Sequence, residues 1–137
     1  MMTRTSTKRA VSDDYWQGRL DSARAFKRAA ENAIALAESA ADANPVISQI
    51  VLAAIAYSDC LTAKRANVVN RQDHAAASKL LRDVLGAALP VAQENRLRRM
   101  LGNKDSSQYG ARAASLPQAQ RLLEDLEEFA NWVDGQL

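Results

Sequence analysis

The chain has 137 residues, 25% of them charged and 47% hydrophobic, with 18 basic against 16 acidic side chains and a formal net charge of +2. That is one domain of ordinary globular composition, and so small a charge excess excludes any nucleic-acid reading that rests on net charge alone. A single cysteine excludes an internal disulfide framework, a single histidine excludes a His/Cys metal cluster within the chain, and five scattered glycines form no phosphate loop.

Alanine fills 27 positions, which favours an all-α domain because alanine is the best helix former. Residues 1–11 are rich in Thr, Ser, Lys and Arg and lack periodicity, so they are expected to form a disordered basic tail ahead of one domain over 12–137. They hold no apolar core of a secretory signal, and the longest apolar run, residues 50–57, is too short to span a bilayer. A cytoplasmic protein without membrane contact is the expectation.

The first helix is predicted from an N-cap at Ser12 or Asp13 to about Asp42. Trp16, Leu20, Ala23, Phe26, Ala30, Ile34 and Ala37 make its apolar stripe. The second starts with Asn44 as N-cap and Pro45 in the first helical position. Its apolar residues cover most of the circumference, which marks a buried central helix and makes Asp59 a polar group in need of a partner. A third helix begins at Asp73, and Gly86 and Pro90 interrupt the pattern. A shorter helix carries Val91, Leu97, Met100 and Leu101 and is expected to end at Gly102. The last helix opens with a capping box, Ser115 and Gln118, with Pro117 in its first turn and Leu122, Leu123, Leu126, Ala130 and Val133 on one face. The sum is an all-α, up-and-down bundle of four to five helices.

Few residues carry chemistry. His74 is the one side chain with an ordinary pKa near neutrality; the plain alternative is a solvent-facing histidine in a first helical turn. Arg96, Arg98, Arg99 and Lys104 form a basic run able to meet phosphate groups, with Arg112 beyond it. Cations near a helix C-terminus are equally favoured by the macrodipole. The carboxylates of "EDLEEF" read as a solvated face. Between Gly102 and Ser115 a polar loop brings Lys104, Asp105, Tyr109 and Arg112 together.

In order, "NPVISQIVLAAIAYSDCLTAKRA", "DHAAASKLLRDVL" and "LGNKDSSQYGARAASLPQAQRLLEDLEEFANWV" resemble the HEPN superfamily of small helical bundles over residues 14–135, in its bacterial, mostly uncharacterised branch. Active members of that family are metal-independent ribonucleases. Their arginine and histidine come from both subunits of a dimer, the arginine steadying phosphoryl charge and the histidine moving a proton. Here Lys104 stands where the arginine is expected and Gln108–Tyr109 where the histidine is, so the catalytic motif is degenerate. Asp59 fits the polar residue of the second helix that supports such a site.

The resemblance therefore implies a homodimeric, non-catalytic module that binds RNA or a protein in a stress, defence or toxin–antitoxin setting, with a nucleotidyltransferase-like protein as one partner. It implies no metal or cofactor. Two alternatives stand beside it: a ribonuclease with Lys104, Tyr109, His74 and Asp59 as a non-standard site, and a helical scaffold or dimerisation module.

Overall fold

A computed structural model describes residues 8–109 and 114–137, of 103–109 the backbone alone. The chain folds as an all-α bundle of five helices with one small β-ribbon. Its axis is α2 (Ala43–Ala66), and 14 of its 24 residues are buried. Val46, Ile47, Ile50, Val51 and Leu61 supply the bulk, while Ala53, Ala54, Ala56 and Ala63 let neighbouring backbones come close. By length and composition Ala40–Ala66 is apolar enough to cross a membrane; here 78% of its most apolar window is buried inside the bundle.

Helix α1 (Tyr15–Leu36) packs antiparallel along α2 and buries Leu20, Ala23 and Ala30 against it. It stops at Leu36, short of the expected Asp42, for two reasons. Leu36 is 80% exposed, so continuing the helix there would bury nothing. Ser39 and Asp42 also form a capping box around a short 3-10 turn, and Asp42 Oδ2 accepts the amides of Glu38 (2.8 Å) and Ser39 (3.2 Å). The start of α2 consequently lies at Ala43, with Asp42 rather than Asn44 before it, and Pro45 falls within the first turn.

The expected disordered tail is corrected for its last residues: Lys8–Ala10 form β1, antiparallel to β2 (Val68–Asn70), with Arg9 opposite Val69. The ribbon joins the entrance of α1 to the exit of α2. Asn67 makes the corner in the left-handed conformation (φ 56°); its amide donates to the Ala63 carbonyl and its side chain to Asp13 Oδ1 at 2.8 Å.

Asp73 caps the turn into α3 (Ala76–Leu85), where the Ala76 amide donates to its Oδ1 at 3.1 Å. Gly86 (φ 55°, ψ −128°) ends that helix, and Arg82 grips the Gly86 carbonyl at 2.6 Å and both oxygens of Glu94. The fourth helix is longer than its sequence suggests. α4 (Val91–Tyr109) runs straight through Gly102. A glycine stops a helix by turning left-handed, and among the described residues only Asn67 and Gly86 have positive φ. Leu97, Met100 and Leu101 are buried, whereas Val91 is 66% exposed. The closing helix α5 (Leu116–Gln136) has the expected cap, with the Gln118 amide donating to Ser115 Oγ at 3.2 Å. It buries Ala119, Leu122, Leu123, Leu126, Phe129, Ala130 and Val133. Its last turn reaches the last turn of α2, where Arg65 Nη2 donates to Gln136 Oε1 at 3.5 Å.

The two glycines of this region give opposite expectations. A Cβ at Gly102 meets nothing within 4 Å, so Gly102→Ala is expected to stabilise the fold by about 0.5–1 kcal/mol. Gly86→Ala forces a side chain into a backbone shape only glycine adopts freely, and is expected to destabilise it by about 1–2 kcal/mol. Urea denaturation of both variants checks the signs; destabilisation by Gly102→Ala would mean that the helix ends there after all.

Candidate functional site

The basic run sorts itself onto two sides of α4. Toward α5, Arg96 and Arg99 line an open groove of about 810 Å³. Arg99 does not face it as a free cation: its Nε and Nη2 donate to the two oxygens of Asp125 at 3.1 and 2.9 Å. This fork raises the guanidinium's pKa still further, chiefly through the hydrogen bond to Asp125. Toward α3, Arg98 lies 3.6 Å from Glu94, a carboxylate already held by Arg82 at 2.8 Å and kept below its ordinary pKa mainly by that hydrogen bond. Of the three described arginines in the run, Arg99 is therefore neutralised by a carboxylate of its own, and Arg98 shares the single charge of Glu94 with Arg82.

Helix α5 supplies the rest of the groove. Gln118, Arg121 and Asp125 stand on its wall with Glu124 and Glu128, over a floor at Leu122. Arg96 and Arg121 have no ion-pair partner among the described residues. The groove thus presents two open cations and two open carboxylates around one closed pair. Sequence reasoning left Arg121 out and read the "EDLEEF" carboxylates as a solvated face. Asp125, with its side chain only 18% exposed, corrects that for one of them. The available signal was the spacing Gln118, Arg121, Asp125, Glu128, which puts all four on one helical stripe.

Asp59 does need a partner, and the structure supplies one that the sequence reading did not name. Arg19 Nη2 from α1 lies 3.2 Å from Asp59 Oδ2, and the Asn70 amide of β2 also donates to the carboxylate. Arg9 approaches from β1 and donates to the Tyr15 hydroxyl at 3.0 Å. Lys64, five residues further along α2, lies instead over the Trp16 ring at 4.3 Å. Arg19 Nε is buried without a hydrogen-bond acceptor, so the pair is only partly satisfied. Asp59 accordingly pins α1, α2 and the ribbon together.

The remaining candidates are quickly placed. His74 is half-buried in the turn entering α3, where its carbonyl accepts the Ala77 amide at 3.1 Å. Lys104 and Tyr109 lie on the last turns of α4 rather than in a loop; their side chains, and Arg112 altogether, fall outside the described residues. Burial pushes the Cys60 thiol up to about 11, so it is no thiolate nucleophile. Among the described residues no group of three or more His, Cys, Asp or Glu is placed to hold a metal ion. Comparison with family models, with curated proteins and with solved structures finds nothing that matches this chain.

Burial dominates the Asp59 titration and, against the opposing pull of Arg19, pushes the carboxyl up from 3.8 to about 6. The folded state therefore binds this proton more tightly than the unfolded chain. Its contribution to stability is full below about pH 4 and is lost as the pH rises toward 6 and above. A two-unit shift corresponds to at most about 3 kcal/mol. Asp42 and Glu94, held low by hydrogen bonds, tilt the curve the other way, so the difference between wild type and Asp59→Asn is the quantity to read. Between pH 4 and 7 the wild type is expected to lose stability relative to the variant, as measured by urea denaturation across that range. Parallel curves would remove the buried-carboxylate account.

Proposed function

We propose that this chain is a HEPN-like, non-catalytic binding module that takes a partner protein on the groove between α4 and α5. The charge order of that groove carries the reading. Arg99 is closed by Asp125, and Arg96 and Arg121 face out beside Glu124 and Glu128. Alternating signs of this kind suit the mixed charges of another protein surface, where complementary pairs fix register and exclude wrong partners. They suit a phosphate backbone poorly, because each carboxylate on the wall repels it. A second copy of the chain counts among such partners, as the resemblance implies, and so does a nucleotidyltransferase-like protein.

The non-catalytic part of the proposal rests on the same kind of observation. Asp59, the supporting residue of a family-type site, is committed to Arg19 and to the Asn70 amide. The motif that would need its support is degenerate at Lys104 and Tyr109.

A photo-crosslinking amino acid at position 121 in the intact protein, expressed in its own cells, tests the reading directly. The expected result is one or a few protein adducts, lost when Arg96→Glu reverses a charge across the groove and absent when the same crosslinker is placed instead at the exposed Ser48 of α2. Adducts to RNA alone would overturn the protein-partner reading, and metal-independent RNA cleavage by the purified chain in chelator would overturn the non-catalytic one.

A further inference from the structure

The groove between α4 and α5 differs in charge balance from two other clefts between helices. The α3–α4 cleft carries Lys79, Arg82 and Arg98 against Glu94, and the α1–α5 cleft carries Arg24, Lys27 and Arg28 against Glu31 and Asp134. Both linings are net positive. The α4–α5 groove sets Arg96, Arg99 and Arg121 against Glu124, Asp125 and Glu128, three of each sign. Such balance suits one kind of partner in particular. A surface that meets its own copy across a two-fold axis doubles any excess charge it carries, so a self-complementary charged surface has to be neutral and to hold both signs.

The order of the signs along α5 suits a two-fold axis as well. Arg121 and Glu128 are seven residues, two turns, apart and so stand on one face. When two copies of α5 lie antiparallel with the axis between positions 124 and 125, Arg121 of each copy faces Glu128 of the other, and the pair forms twice. A parallel arrangement sets Arg121 against Arg121 and Glu128 against Glu128. Both side chains are exposed, and neither has an ion-pair or hydrogen-bond partner among the described residues. Near the axis, Glu124 and Asp125 approach the same residues of the other copy. There Arg99 already holds the two oxygens of Asp125 at 3.1 and 2.9 Å, so one of the two carboxylates arrives neutralised.

We propose that the occupant of the α4–α5 groove is a second copy of this chain, seated across a two-fold axis with the two α5 helices antiparallel and Arg121 of each paired with Glu128 of the other. This rests on the reading of that groove as a protein-binding surface and names its partner. The walls are polar and the floor at Leu122 is only 5% exposed, so charge pairs carry the association. It is accordingly weak, reversible and screened by salt.

Sedimentation of the full chain over a wide concentration range, at low and at raised salt, tests the proposal. A monomer–dimer equilibrium is expected that shifts toward monomer as salt rises. Arg121→Glu and Glu128→Arg should each weaken it about tenfold or more, because one substitution breaks both copies of the pair and brings like charges together. The double variant Arg121→Glu/Glu128→Arg rebuilds the pair with its signs exchanged and should restore the dimer. Arg28→Glu, on an exposed position of α1, should leave it unchanged. A wild-type Tm shows that each variant is folded. The proposal is overturned by a monomer at every concentration, by a dimer indifferent to both reversals, or by a folded double variant that stays monomeric. A monomer that still gives adducts to another protein at position 121 overturns the second copy alone, whereas a monomer without protein adducts removes the reading of the groove as well.

Discussion

A helix that is apolar around nearly its whole circumference has to be enclosed, and α2 sets that requirement for everything else in this fold. α1 covers one flank, α4 and α5 the others, and short α3 fills the remaining side. Alanine makes this feasible. With Ala53, Ala54 and Ala56 on the axis and Ala23, Ala30 and Ala119 on its neighbours, backbones approach closely and bury apolar surface with few large side chains. Enclosure also explains the one ionised group that α2 carries inward. Asp59 can be tolerated only because Arg19 and the β2 backbone come to it, so the ribbon and the start of α1 are fixed by the same demand.

The outer surface follows from how α5 is lodged. Its inner face is spent on the core, and its polar face runs as an acidic ridge through Glu124, Glu128 and Asp134 between two basic banks. One bank is α4, with Arg96 and Arg99; the other is α1, with Arg24, Lys27 and Arg28. Each boundary leaves a cleft, and in each some charges are closed by pairing while others stay open. The surface is therefore ordered in sign without being dominated by either, in keeping with a net charge of only +2.

What could be read from the sequence was whatever local chemistry settles alone. The Ser115–Gln118 box starts α5 where the spacing says it should, and the continuous apolar run marks α2 as the axis. Three features escaped because tertiary context decides them. Gly102 has the residue type of a helix stop but a right-handed backbone, and α4 runs on through it to Tyr109. Lys8–Ala10 have the composition of a loose tail yet pair with Val68–Asn70, a partner some sixty positions away. Arg19 was one of several arginines on the outer faces of α1, and nothing in its neighbours signals that it alone turns toward Asp59.

The proposal most central to this account is that the groove between α4 and α5, with Arg99 closed by Asp125 and with Glu124 and Glu128 on its wall, takes a protein rather than a nucleic acid. The salt dependence of binding to single-stranded RNA measures it directly, because the slope of log K against log salt counts the phosphates neutralised, at about 0.7 per phosphate. The account expects retention at low salt only, with a slope no steeper than about one. A slope of about three or more, reduced in Arg96→Gln/Arg121→Gln, would show that the groove between α4 and α5 binds RNA and would contradict it.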